Sequence, residues 1–235
     1  MMNSTTPQLS VVIPAFNEHG NVTPLVEEIR QALNDRYDYE IVVVDDASTD
    51  ATYQEITALA SQYPQVRGQQ HARNRGQSAA IHTGVDAAAA AVIAVLDGDG
   101  QNDPADIPAL FEKLIATSDA NMVVGERRQR NDSLVKKVSS RIANAVRDAL
   151  LDDGIRDTGC GLKVFYRDDF LKLPAFDHMH RFLPALIQRD GGKVVAVAVN
   201  HRPRNHGTSK YGINNRLWVG IVDMFGVMWL KRRRI

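Results

Sequence analysis

The chain has 235 residues, 44 % hydrophobic and 24 % charged, with 28 acidic and 28 basic side chains. These values are those of a soluble globular protein with a full core, and they exclude a disordered chain. A single cysteine, Cys160, excludes an internal disulfide and fits a reducing compartment. The opening MMNSTTPQ carries neither a basic patch nor an apolar stretch, so no secretory leader and a cytoplasmic location are expected. Charge is unevenly spread: fifteen of the 28 Lys and Arg lie within Arg127–Arg147 and Arg202–Arg234. A basic C-terminal half points to an anionic partner (phosphate, lipid headgroup or nucleic acid) or to a solvated surface.

In chain order, Leu9–Pro14 is a β-branched run ending in a loop, and Asn21–Leu33 has helical spacing at Val22, Leu25, Val26, Ile29 and Leu33. Glu40–Asp45 is the continuous apolar run of a strand buried on both faces. A helix over Thr52–Ser61, a strand over Val66–Gln70, an Ala-rich helix over Ser78–Ala91 and a buried strand over Val92–Leu96 follow. Pro104–Thr117 reads as a helix with proline in its first turn. Strands near Met122–Val124, Leu162–Tyr166 and Lys193–Val199, with helices near Val135–Leu151 and His180–Gln188, complete the prediction. This alternation predicts an α/β fold: a mostly parallel central sheet flanked by helices, with ligands bound at the carboxyl ends of its strands. Residues 1–212 are expected to form the catalytic domain and residues 213–235 a C-terminal amphipathic, basic helix.

Two acidic loops fall at that sheet edge. Asp97 ends an apolar strand and Asp99 follows on a glycine-containing loop, with Gln101 beyond. Two carboxylates at i and i+2 can share a hard cation such as Mg²⁺ or Mn²⁺ with a diphosphate, although Asp and Gly also make ordinary polar turns. Asp45 and Asp46 end an earlier strand, where a carboxylate can accept from a base N–H or a ribose hydroxyl. Ser48 or Asp50 can equally cap the next helix. Asn74-Arg75-Gly76 leads into a helix N-terminus, which suits an anion or a simple cap.

Pro14-Ala15-Phe16-Asn17-Glu18, Asp45 to Asp50, Asn74-Arg75-Gly76 and Asp97 to Gln101 together resemble the family 2 glycosyltransferases. In the second half, Val123 to Arg127, Ser140 to Asn144, Asp157 to Lys163, His180 to Ala185 and Arg204 to Tyr211 look like the polyprenyl-phosphate glycosyltransferases. That group includes dolichyl-phosphate mannose synthases and undecaprenyl-phosphate sugar transferases. The resemblance implies a GT-A nucleotide-sugar-binding sandwich and inverting transfer from a UDP- or GDP-linked sugar to a polyprenyl phosphate. It places Pro14, Phe16, Glu18, one or both of Asp45 and Asp46, Asn74 and Gly76 at the nucleotide, and Asp97, Asp99 and Gln101 at the metal. Arg127 and Arg141 would grip the acceptor phosphate, and Arg204, Ser209 and Lys210 would close over the donor and acceptor phosphates. Fixed guanidinium forks suit a phosphate, whereas each arginine alone also reads as surface charge.

The last apolar run, Leu217–Leu230, is shorter than the ~20 residues of a spanning helix. With Trp218, Trp229 and the terminal Lys231 to Arg234 it suits a helix lying on the inner face of a membrane, binding an anionic surface. Packing on the body of the protein, on a second copy or on a membrane-protein partner is the competing expectation. A soluble or glycan hydroxyl acceptor would require a general base, for which no carboxylate stands out; Asp157 is the best candidate, with a structural role as its alternative reading. A nucleotidyltransferase would carry a basic, Gly-rich loop where Pro14–Gly20 stands. A nucleotide-binding module without transfer activity fits poorly with an intact Asp97–Asp99 pair. Nucleic acid is not expected as a partner, since aromatics are 6 % and no stacking platform is recognisable.

Overall fold

The computed structural model describes residues 6–127, 154–155, 157–203 and 213–233; in the last range it describes the side chains of residues 220 and 222–233. Arg141, Arg204, Ser209, Lys210, the Trp218 side chain and the helix expected over Val135–Leu151 lie outside this set.

The first half alternates strictly: β1 (Leu9–Ala15), α1 (Val22–Leu33), β2 (Tyr39–Asp45), α2 (Thr52–Gln62), β3 (Val66–Gln70), α3 (Gln77–Ala87) and β4 (Val92–Val95). After these come α4 (Ile107–Ala116), β5 (Ala120–Arg127), β6 (Lys163–Tyr166), α5 (Arg167–Leu171), α6 (Leu183–Arg189), β7 (Lys193–Val199) and α7 (Ile213–Lys231). The described strands form one seven-stranded sheet in the order β3-β2-β1-β4-β6-β5-β7. Four of its pairings are parallel, and β6 runs antiparallel to both neighbours, β4 and β5.

Period-two alternation divides the strands between two cores. Val11, Ile13, Ile41 and Val43 pack with α1, α2 and α4 on one face. Val12, Val42, Val44, Ile93 and Val95 pack with α3, α5 and α6 on the other, where α7 also docks. Because both faces are covered, β1 and β2 are apolar along nearly their whole length. The small residues of α3 have a packing cause: a Cβ on Gly84 would stand 2.4 Å from a Val12 methyl, so α3 lies directly on the sheet.

Three element boundaries differ from the sequence expectation. Helix α3 stops at Ala87 rather than Ala91. There Glu40 accepts from the Ala89 N–H, Ser10 Oγ accepts from the Ala90 N–H, and Arg67 donates to the Ala87 carbonyl. A buried polar pair from β1 and β2 thus takes backbone groups that further helix would have used. The helix expected over His180–Gln188 divides into a 3₁₀ turn at Met179–Arg181 and α6, broken by Phe182. Pro104 opens a separate 3₁₀ turn, Pro104–Asp106, ahead of α4.

Candidate active site

The carboxyl ends of β1, β2 and β4 open into a cavity of about 820 Å³, within the size range of small-ligand sites. Pro14, Phe16, Glu18, Asp46, Asn74, Gly76, Asp97, Asp99, Gln101 and Arg127 all contribute to its wall. Motifs spread over more than a hundred residues therefore meet because parallel strands end at one edge.

The loop after β1 is held by the loop after β2. Ser48 Oγ accepts from the Asn17 N–H at 2.8 Å, Thr52 Oγ1 from the Glu18 N–H at 2.9 Å, and Asn17 Oδ1 from the Thr49 N–H at 2.7 Å. Asn17 takes a left-handed backbone, φ 52°, a conformation asparagine tolerates better than most residues. The N-cap position of α2 is Ala51, which has no capping side chain, so neither Ser48 nor Asp50 is the cap the sequence suggests. Asp50 instead accepts from the Thr52 N–H at 3.0 Å from one residue further out, and Ser48 bonds the loop after β1.

The paired aspartates after β2 separate into two roles. Asp45 lies outside the cavity wall, fully buried, and its carboxylate accepts from Ser48 N–H and the Gln70 amide. Asp46 lines the cavity and accepts from the backbone N–H groups of Arg75 and Gly76, each at 2.8 Å, while His71 Nδ1 lies 2.6 Å away. One carboxylate thus shapes the Asn74–Gly76 loop from below, and the loop presents Asn74 and Gly76 to the cavity.

Asp97 sits at the end of the β4 segment with its Oδ1 accepting from the Gln77 amide at 2.7 Å. Burial pushes its pKa up, and the charge on Asp99 pushes the same way; Lys163, the Gln77 hydrogen bond and Arg127 pull it down. Asp99 Oδ1 accepts from the Gln101 N–H at 3.1 Å, which folds the loop back on itself. Gly161 closes the far side: a Cβ there would stand 2.2 Å from Asp97 Oδ2 and 2.7 Å from Asn102 Oδ1. A buried carboxylate facing a second negative charge favours a cation beside it. Among the described residues no three His, Cys, Asp or Glu side chains form a closed metal cage. The donor set fits Mg²⁺ or Mn²⁺, hard ions that combine one or two carboxylates with phosphate oxygens.

Arg127, at the end of β5, is bound bidentately by Asp157, with Nε–Oδ2 and Nη2–Oδ1 both 2.6 Å. Burial lowers its pKa, but the hydrogen bond and charge of Asp157 outweigh that and the net shift is upward. Asp157, the carboxylate considered as a general base, is thereby committed to orienting a cation. Lys163 is buried at the start of β6 and donates to the Cys160 carbonyl. Burial lowers its pKa against the opposing pull of Cys160, Asp97 and Asp157.

Gln77, Asn102, Gly159, Gly161 and His201 also line the cavity, and no role was assigned to them from sequence. Gly161 had a visible signal, two glycines flanking Cys160. His201 had none: it reaches the site because its backbone bridges Asn102, with the Arg202 N–H donating to the Gln101 carbonyl at 3.0 Å.

Paired carboxylates after a buried strand, opening on a cavity at the carboxyl edge of a mostly parallel sheet, define a class of α/β protein suited to a phosphate-bearing ligand held through a hard cation. Residues 10–173 match the model of "Glycosyl transferase family 2", and the chain belongs to that family. It is 36 % identical over 235 residues to the dodecaprenyl-phosphate galacturonate synthase of Rhizobium johnstonii, covering 96 % of this chain and 68 % of the relative. It is 33 % identical over 216 residues to the undecaprenyl-phosphate 4-deoxy-4-formamido-L-arabinose transferase of Aeromonas hydrophila, covering 90 % and 65 %. The chain thus spans about two thirds of the length of these relatives, which are polyprenyl-phosphate glycosyltransferases. The fold matches Mycobacterium tuberculosis glucosyl-3-phosphoglycerate synthase, solved with Mn²⁺, UDP-glucose and glycerol 3-phosphate. The TM-score is 0.72 at 20 % identity, over 96 % of this chain and 80 % of that one. The expected GT-A architecture is borne out.

Proposed function

We propose that the protein transfers a sugar from a UDP- or GDP-linked donor to the phosphate of a polyprenyl phosphate, with inversion at the anomeric carbon, at the cytoplasmic face of a membrane. The observation that carries this reading is the single cavity that brings the Asp97–Asp99 pair, the Asp46-pinned loop and Arg127 together. The kinship with polyprenyl-phosphate sugar transferases supports the acceptor. Solved structures of the same fold containing Mn²⁺ or Mg²⁺ with UDP support the cation.

In this reading Pro14, Phe16, Glu18, Asp46, Asn74 and Gly76 surround the nucleoside, while Asp45 braces the loop from behind. Asp97, Asp99 and Gln101 would hold Mg²⁺ or Mn²⁺, which when bound neutralises charge on the leaving diphosphate. The Asp157 pair uses Nε and Nη2 of Arg127 and fixes the plane of its guanidinium, which faces the acceptor phosphate. Arg141, Arg204, Ser209 and Lys210 are assigned to the same phosphates. A phosphate monoester has its second pKa at about 6, so the acceptor is already a nucleophilic anion at neutral pH. The commitment of Asp157 to Arg127 is compatible with that chemistry and unfavourable to a hydroxyl acceptor that needs a base. Residues 1–212 are assigned to the catalytic domain and residues 213–235, which include α7, to a membrane- or partner-binding segment.

Thermal-shift measurements with UDP, GDP and their sugar conjugates, each with and without Mn²⁺, test the donor half by mass action. A metal-dependent rise in Tm for one base identifies the donor. Transfer from the labelled donor to a polyprenyl phosphate, releasing the matching nucleoside diphosphate, tests the acceptor half. Equal transfer to the corresponding phosphate-free polyprenol overturns it.

A further inference from the structure

Among the described residues, three of the four exposed large hydrophobics lie on α7: Val222 at 67 %, Phe225 at 53 % and Trp229 at 56 % exposure. Their spacing of three and four residues places them on one stripe. The other side of the helix is committed. Val227 is 1 % exposed, and Met224, Met228 and Leu230 pack on the core shared with α3 and α6. The helix therefore has two apolar faces, of which the body of the protein covers one.

Charge decides what suits the second. Asp223 is the sole acidic residue of α7, and its side chain turns inward, 3.1 Å from His178 Nδ1. The outward stripe carries no acid, and the helix ends on Lys231, Arg232 and Arg233, the last two exposed. The Arg233 guanidinium lies 5.1 Å from the centre of the Trp229 ring, which places an aromatic and a cation at one end of the stripe. Apolar side chains bordered by Trp and Arg match the boundary between acyl chains and anionic headgroups. A second copy docked on the stripe through its own α7 would supply no counter-charge, since the one acid of that helix faces inward.

We infer that Val222, Phe225 and Trp229, with Arg232 and Arg233, form a docking surface for an anionic lipid bilayer, and that the inward face of α7 sets how the cavity stands against it. The purpose of such docking rests on the lipid-acceptor reading above; the surface itself is defined by the residues named. Its mechanical connection is one turn. His178, bonded to Asp223, is preceded by Asp177, whose Oδ1 lies 3.2 Å from where a Cβ on Gly76 would stand. It is followed at one remove by His180, whose Nδ1 is 2.7 Å from Ser78 Oγ. Gly76 and Gln77 are cavity wall, so the docking helix and the donor side of the cavity share a support.

Flotation of the full chain with phosphatidylcholine vesicles, with and without phosphatidylglycerol, tests the surface. Binding is expected to require the anionic lipid and to fall with salt. Arg232→Gln with Arg233→Gln weakens it by about fivefold per charge, and Phe225→Ser with Trp229→Ser by about tenfold or more. Unchanged vesicle binding in both double variants overturns the inference, as does a dimer that the Phe225→Ser, Trp229→Ser variant turns into a monomer without loss of vesicle binding. Both double variants should keep wild-type turnover on a short, water-soluble prenyl phosphate and lose turnover on a long-chain acceptor embedded in vesicles. Asp223→Ala should still float with vesicles yet lose turnover on the embedded acceptor only; full retention there removes the orienting role of the inward face. A wild-type protein that turns over neither acceptor sinks the acceptor reading, while flotation still decides the docking face.

Discussion

The loops after β2 and β4 and the turn from Asp157 to Gly161 build the same cavity by different routes. In the loops, the residues that face the cavity follow directly from strand ends, so their place was set once the strands were recognised. In the turn, two residues act through partners distant in sequence, Asp157 through Arg127 and Gly161 by leaving room for Asp97 and Asn102, while the Cys160 carbonyl accepts locally from Lys163. In the proposed reading the loops carry the groups that touch ligand, and the turn holds those groups in position. Substitutions in the two regions should therefore fail differently.

The largest effect is expected at Asp99. Asp99→Ala should lower turnover by ~10²–10³-fold, with stability changed by no more than ~0.5 kcal/mol because the side chain stands in the cleft. Near-wild-type turnover at saturating Mn²⁺ would remove the cation from this loop. Gly161→Ala should couple the two kinds of failure. A Cβ 2.2 Å from Asp97 Oδ2 must displace the carboxylate, costing ~1–3 kcal/mol of stability and weakening metal-dependent nucleotide binding in the same protein. A variant that melts early yet binds nucleotide and Mn²⁺ normally would place Gly161 outside the site's support.

Asp46→Ala leaves the Arg75 and Gly76 N–H groups without their acceptor, for a loss of ~1–3 kcal/mol. Denaturant titration checks the stability, and the KM for donor should rise more than kcat falls. The converse split would assign Asp46 to the reacting atoms.

The smallest effect belongs to Glu55, on α2, which ties down the chain at His19, Gly20 and Thr23. Burial raises its pKa, but its bonds to Thr23, Gly20 and His19 outweigh that and hold it below the ordinary glutamate value. A folded-state pKa depressed in this way stabilises the protein above the unfolded value of about 4.3, and the contribution disappears as pH falls through the folded value. Glu55→Gln should cost ~1 kcal/mol at neutral pH after allowance for solvent screening. The gap to wild type should begin to shrink as pH falls below the unfolded value of about 4.3 and close once it passes the folded one; a gap independent of pH would mean that the carboxylate charge contributes nothing.

The site was legible from sequence to unequal depth. Asp97, Asp99 and Gln101 were readable because a buried strand must end where they begin. The pair Asp45 and Asp46 could not be resolved, since adjacent strand-end residues point to opposite sides and only the position of α3 and its preceding loop shows which side is cavity. Arg127 was read as a phosphate ligand. Its bidentate bond to Asp157, thirty positions away, could not be seen from residue spacing.

By itself the sequence determined the alternation of strands and helices, the sheet edge that bears the chemistry, and the carboxylate pair suited to a hard cation. These depend on hydrophobic periodicity and on local turn chemistry, which act over a few residues. Only the tertiary structure decided that α3 ends four residues early on a buried Ser10–Glu40 pair, that Gly161 is space reserved for Asp97, and that α7 packs one apolar face inward while showing another to solvent. Each of these depends on which distant backbone or side chain arrives to accept a hydrogen bond or fill a volume, and no local pattern carries that information.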